Sequence, residues 1–254
     1  MSLRVDVFDN ETKKASHPAG DLKVPNGYKI TGGGALEFYS PPGNMLTAAY
    51  PKSLQTWSVA GKDHEQTSPA VIKAFVLALF DPFNEWDVVI AEKTSDSAEF
   101  PTATATLPDD YVLTGGGACV NYGSGSGNIL TASFPSSKST WEARGKDHLV
   151  RDPASITAYA IGIRHRAGTL RVEGHIQHAT GKVASHPFAS VTLELVRPAW
   201  IVTGGGAVDN WQGQGNLLTG SYPQGDTWHV NGKDHLQSSP ADVTAYVLGI
   251  RTVA

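Results

Sequence analysis

Tyr28-Lys29-Ile30-Thr31-Gly32-Gly33-Gly34-Ala35 occurs three times in this chain with only small changes. It returns as Tyr111-Val112-Leu113-Thr114-Gly115-Gly116-Gly117-Ala118 and as Trp200-Ile201-Val202-Thr203-Gly204-Gly205-Gly206-Ala207. The triplets begin at 32, 115 and 204, so the spacing is 83 and then 89 residues. Each segment is an aromatic and β-branched run broken by glycines, which reads as a strand that must bend or must let something come close.

Working outward, the rest of the unit repeats as well. Each copy continues to Gly-Asn-x-Leu-Thr, with Asn44, Asn128 and Asn216. An aromatic then precedes proline at Tyr50-Pro51, Phe134-Pro135 and Tyr222-Pro223, and Thr-Trp follows with Trp57, Trp141 and Trp228. Gly-Lys-Asp-His comes next, at Gly61 to His64, Gly145 to His148 and Gly232 to His235. An apolar strand closes each copy, and Ser-His-Pro opens the first and third (His17, His186), where the second has Glu99-Phe100-Pro101. The units therefore run 1–83, 84–167 and 168–254, joined by the short segments Phe80-Asp81-Pro82-Phe83-Asn84 and His165-Arg166-Ala167-Gly168.

In the third copy, alternation predicts strands at Leu170 to Ile176, Ser190 to Val196, Trp200 to Val208, Leu217 to Tyr222, Thr227 to Val230 and Val243 to Ile250. That is about six strands per unit, with no helical periodicity. The expected fold class is all-β: three tandem antiparallel β units in pseudo-threefold arrangement, a single-chain counterpart of a trimer packed as one body. Glycine inside a strand costs about 0.5–1 kcal/mol relative to alanine, so nine of them need a compensating cause. A bulge or positive-φ bend, or close approach of the neighbouring unit near the axis, is expected ahead of a ligand platform of bare amides.

Composition narrows the function classes. Lys and Arg total 20, Asp and Glu 24, and the net charge is −4, with no basic stripe for neutralising phosphates. No nucleic-acid partner is expected. The longest apolar run, Ala74 to Phe80, is far short of the ~20 residues of a membrane span. The opening residues lack the apolar core of a signal peptide, so a soluble protein of undetermined compartment is expected. The single cysteine, Cys119, excludes an intramolecular disulfide and a cysteine-based zinc site.

Gly-Lys-Asp-His is the sharpest candidate site. Asp63, Asp147 and Asp234 with His64, His148 and His235 offer hydrogen bonds to sugar hydroxyls, or ligands to a metal. In the structural reading the Asp caps a turn, the His packs inward and the Lys points to solvent. The three histidines either converge on the axis or form separate outward sites. The three tryptophans are expected in the core. Tyr39, Tyr122 and Trp211 lie in polar glycine-rich loops ending at the three asparagines and are expected to edge a shallow binding surface. No nucleophile elbow, phosphate loop or His-Glu-x-x-His is present, and triplicate motifs suit multivalent binding better than one asymmetric catalytic centre. The leading expectation is a non-catalytic, lectin-like protein with a glycan or other repeated surface ligand as partner and no cofactor. The alternatives are an assembly module of a fibre or surface complex, and a metal-dependent hydrolase using the repeated Asp-His.

Overall fold

The computed structural model describes residues 3–123, 125, 127–194 and 200–253. Repeat 1 supplies β1 (Val5–Glu11), β2 (Ala19–Lys23), β3 (Tyr28–Phe38), β4 (Met45–Ser53), β5 (Thr56–Lys62) and β6 (Val71–Phe80). Repeat 2 supplies β7 (Trp86–Thr94), β8 (Thr102–Thr106), β9 (Val112–Asn121), β10 (Ile129–Pro135), β11 (Thr140–Lys146) and β12 (Ser155–His165). Repeat 3 supplies β13 (Arg171–Thr180), β14 (Phe188–Thr192), β15 (Ile201–Asp209), β16 (Leu217–Gln224), β17 (Thr227–Lys233) and β18 (Val243–Val253). Six strands per repeat is the expected number. The expected strand at Ser190 to Val196 is seen as β14, and its end, from residue 195 on, lies outside the described residues.

The strands form three six-stranded antiparallel sheets, and none of them belongs to one repeat. Their orders are β1-β6-β3-β16-β17-β14, β2-β5-β4-β9-β12-β7 and β13-β18-β15-β10-β11-β8. Each repeat sends three strands to one neighbour and three to the other. The seams are short. β3 meets β16 through Ala35–Ser221 and Leu36–Gly220, β4 meets β9 through Ala48–Cys119 and Ala49–Ala118, and β10 meets β15 through Ala132–Val208 and Ser133–Ala207. An aromatic pair straddles every seam: Phe75–Tyr222, Tyr50–Tyr159 and Phe134–Tyr246, with centroids 5.7, 5.0 and 5.4 Å apart. Such pairs add about 0.5–1.5 kcal/mol beyond their burial.

The glycine triplet is explained by close approach, and its members face different neighbours. A Cβ on Gly32 would stand 2.5 Å from Thr203 O and 2.7 Å from Gly204 Cα. On Gly115 it would stand 2.5 Å from Thr31 O and 2.9 Å from Gly32 Cα, and on Gly204 2.7 Å from Thr114 O. The first glycines therefore pack the three repeats backbone to backbone around the axis. The second glycines lie against the rings of Trp57, Trp141 and Trp228, all fully buried. The third glycines let the neighbouring repeat's strand approach at the seam, against Ser221, Ala49 and Ser133. The positive-φ bend that the sequence allowed is absent, since none of these nine glycines has positive φ.

The bulge is present. Register shifts between Ile30 and Gly32, and at the matching points of β9 and β15, leave Thr31, Thr114 and Thr203 as extra residues. Their hydroxyls close a ring around the axis, donating to Thr203 O (3.0 Å), Thr31 O (2.9 Å) and Thr114 O (2.8 Å). The bulge thus satisfies buried carbonyls that the shifted ladder leaves over.

Candidate functional site

The strands run between two ends. One carries the Gly-Lys-Asp-His segments and the Tyr39, Tyr122 and Trp211 loops. The other carries the joints between repeats and the hairpin turns at 53–55 and 137–139.

At the loop end each residue of the tetrapeptide has a separate function. The glycine leaves no room for a Cβ because the asparagine amide sits there, Asn44 Oδ1 being 2.7 Å from the Cβ position of Gly61. The aspartate caps the following loop. Asp63, Asp147 and Asp234 accept through Oδ2 from the backbone N–H of Ser68, Asp152 and Ser239 at 2.9, 2.9 and 3.0 Å. Asn128 and Asn216 donate to the other oxygen of Asp147 and Asp234 at 3.0 and 2.9 Å, while Asn44 donates to Ser16 O and Ser68 O. All three asparagines are fully buried. The residue after each histidine turns the chain back with a left-handed backbone: Glu65, Leu149 and Leu236, φ about 60°.

The lysines differ from the solvent-pointing expectation. Lys62, Lys146 and Lys233 are each 1% exposed. Their ammonium groups stand over the loop aromatic of the next repeat in cyclic order: 4.5 Å from the Tyr122 ring, 4.1 Å from Trp211 and 5.0 Å from Tyr39. Lys146 also donates to Gln214 O at 3.2 Å, and Lys233 to Pro42 O. Burial pushes Lys146 and Lys233 down to about 8, partly opposed by Asp209 and Glu37 respectively. The ring faces and carbonyls offset desolvation that would otherwise expel an ammonium.

The histidines converge on the axis. The centroids of His64, His148 and His235 are separated by 5.2, 5.9 and 5.1 Å. Gln214 O can only accept, so His148 Nδ1 carries a proton and donates to it at 2.7 Å. His148 Nε2 lies 3.1 Å from both His235 Nδ1 and His235 O. Burial, opposed by the Gln214 bond and reinforced by His64 and Lys146, lowers His148 to about 4. Burial, with Lys233 and the other two imidazoles, lowers His235 to about 3. His148 and His235 are neutral at pH 7. Among the described residues, no group of three or more His, Cys, Asp or Glu side chains is arranged to hold a metal ion.

Two buried carboxyls complete this end. Glu37 and Asp209 are 4% and 3% exposed, and burial raises both, Asp209 to about 7 and Glu37 well above its ordinary range. Among the described residues, neither Glu37 oxygen nor Asn44 Oδ1 has a hydrogen-bond partner, and both groups crowd the Cβ position of Gly61. Burial favours the neutral form of the Glu37 carboxyl, which, unlike the ionised form, can donate a hydrogen bond to an amide oxygen such as Asn44 Oδ1. Val120 occupies the equivalent position in repeat 2, where Asp152 instead supports the Lys62 charge.

The sequence-predicted residues are therefore gathered at one end, as a packed network. The asparagines and histidines are buried, and the aspartates and loop aromatics are half-buried, each bonded or stacked within the protein. The open clefts lie at the opposite end. One of about 620 Å³ is lined by Tyr28, Lys29, Leu54, Gln55, Asp81 and Asn84. One of about 420 Å³ is lined by Tyr111, Lys138, Ser139, Gly174, His175 and Ile176. Both centre on the aromatic that opens the glycine motif. Tyr28 donates to Asp6 at 2.5 Å and Tyr111 to Asp87 at 2.7 Å. These tyrosines were missed as site residues, although the signal lay in the repeated motif: an aromatic opens every copy of it, including Trp200.

Comparison of the chain with protein-family models and with curated proteins finds no match.

Proposed function

We propose that the protein is a non-catalytic, multivalent recognition protein for glycans, with its ligand sites in the tyrosine clefts at the joint end. The observation that carries this reading is that the same motif position opens a cleft in two different copies, lined by a tyrosine whose hydroxyl is held by a carboxylate and by the polar turn of the neighbouring hairpin. An aromatic face beside directed hydrogen-bond groups suits a pyranose, whose apolar C–H face stacks while its hydroxyls are paired. Repetition on a rigid body multiplies weak single-site affinity by about 10²–10⁴ toward a repeated target. The loop-end network supports the same reading by giving the recurrent Asn, Lys, Asp and His a scaffold function instead of a catalytic one.

The test is a glycan array with the intact chain and with a Tyr28→Ala/Tyr111→Ala double variant. Binding to a defined set of glycans, lost in the double variant at unchanged melting temperature, supports the proposal. A blank array and absent haemagglutination at high protein concentration end it. The second reading, an assembly module, is favoured by the burial of every recurrent asparagine and histidine. It predicts that Asp147→Ala lowers stability by about 1–3 kcal/mol, through loss of the loop cap, with no ligand function to lose.

A further inference from the structure

The two joints between repeats follow the same path but differ in charge. At the first joint Lys29 donates to Asp81 (2.7 Å), Asn84 (2.7 Å) and Trp86 O (2.6 Å), so its cation is neutralised by the buried Asp81. The spacing from the tyrosine and from the closing strand places Val112 and His165 at the matching positions of the second joint. The lysine–aspartate pair is therefore missing there, and the space it would fill is open. A cleft of about 640 Å³ runs along the joint, lined by Val112, Arg164, His165, Arg166, Leu170 and Arg171 among others. A second cleft of about 500 Å³, floored by Trp86, continues from it and shares His165, Arg166 and Leu170.

In the larger cleft, with Arg164 paired to Asp87, Arg166 and Arg171 face only Asp110, a surplus of one positive charge, while Glu85 lies on the smaller cleft. Arg164 is committed, donating to Asp87 at 3.0 and 3.2 Å while stacking 4.6 Å over Tyr111. Arg166 has a side chain 53% exposed, one hydrogen bond to Asn84 (3.2 Å) and only a long 3.8 Å approach to the already occupied Asp87. Arg171 is exposed and makes no ion pair among the described residues. His165 is held on the cleft wall against the edge of Trp86, its Nδ1 accepting from the Leu170 N–H at 3.4 Å. The acids on the lining are Asp110 in the larger cleft and Glu85 in the smaller. Two guanidinium forks opening into one cleft, beside an apolar floor and in a chain of net charge −4, match a planar or tetrahedral oxyanion.

We infer that the cleft at the second joint binds a ligand bearing an oxyanion, held between Arg166 and Arg171 with its apolar part against Trp86 and Leu170. This site is independent of the tyrosine clefts and of the glycan reading. The oxyanion comes either from an acidic saccharide or from a free inorganic anion, and the two sources are separable by experiment.

Thermal-shift and calorimetric titrations of the full chain at low salt use three probes: trigalacturonic acid, inorganic phosphate and the neutral maltotriose. Either anion should bind saturably, with affinity falling as salt rises, and an Arg166→Gln/Arg171→Gln variant should weaken it by about tenfold or more. Both side chains are exposed, so the variant should melt as the wild type does, and a Lys93→Gln control, an exposed lysine outside every cleft described, should bind unchanged. Tighter binding of trigalacturonic acid assigns the site to an acidic saccharide; tighter binding of phosphate assigns it to a free anion. Absence of saturable binding by either anion up to about 10 mM, equal binding by maltotriose, or undiminished binding in the double-glutamine variant overturns the inference. A blank result here leaves the tyrosine-cleft result untouched, so the two readings fail separately.

Discussion

The residues that touch the axis are the same in all three repeats, whereas the residues one layer further out are not. Thr31, Thr114 and Thr203, the first glycines and the histidines recur without change. Around them Ala49 stands where the other copies have Ser133 and Ser221, Val120 where they have Glu37 and Asp209, and Asp152 where they have Ser68 and Ser239. At the axis a side chain meets the backbone of a neighbouring repeat, which cannot move aside without disturbing the ring. In the outer layer each residue meets one neighbour, and a change in one copy can be balanced locally, as Asp152 does for Lys62 where Val120 removes the buried acid.

The strongest way to break that contrast is to place a side chain at the axis. Gly115→Ala should cost on the order of 3–5 kcal/mol, because the added carbon meets Thr31 O and Gly32 Cα, which are backbone atoms with no rotamer to move aside. Gly123→Ala, where nothing lies within 4 Å of the new carbon, should stay within about 0.5 kcal/mol. Equal urea midpoints for the two would abolish the distinction.

Acid should act next most strongly. His148 and His235 titrate at about 4 and about 3 in the folded protein, against about 6.5 unfolded. Above pH 6.5 both are neutral in both states and the fold is at full strength. As pH falls below 6.5 the unfolded chain takes up protons that the folded one refuses, so each histidine withdraws up to about 1.4 kcal/mol per pH unit until its folded value is reached. Urea midpoints measured from pH 7 to pH 4 should fall steeply, and His235→Gln should flatten the slope.

In the outer layer, Trp141 and Trp228 donate through Nε1 to Ser133 and Ser221 at 2.9 Å, while Trp57 Nε1 has no such partner because Ala49 lacks the hydroxyl. Ala49→Ser should add about 1 kcal/mol and Ser133→Ala should remove about 1–2, read as opposite shifts in melting temperature. The smallest effect belongs to Glu37→Gln. Burial raises the Glu37 carboxyl and so favours its neutral form, which an amide replaces at little cost, so the change should stay within about 0.5–1 kcal/mol. A loss of several kcal/mol would mean that the ionised form is the one the fold holds.

Much of this was legible in the sequence because it is local or repeated. The strands, the tryptophan core and the close approach demanded by Gly32, Gly115 and Gly204 follow from residue type and period. The exchange of strands was not legible. β3 would offer the same alternating face to a strand of its own repeat as to β16, and the two residue pairs of each seam leave no pattern in the chain. The direction of the histidines was open for the same reason, since a residue at a strand end has several directions available. The lysines misled because a lone ammonium normally seeks water. The rings and carbonyls that hold it come from another repeat, 60 or more residues away in sequence for Lys62 and Tyr122.

Two of the three repeat boundaries are crossed by the polypeptide, at 81–84 and 165–168, but the boundary between the last repeat and the first is not. There the ring is clasped by the two residue pairs of β3 and β16, the Phe75–Tyr222 stack and the Lys233–Tyr39 contact. Under tension applied to the chain ends, that clasp bears load with no covalent link in parallel, and the molecule should unzip from it as a bracelet opens at its catch.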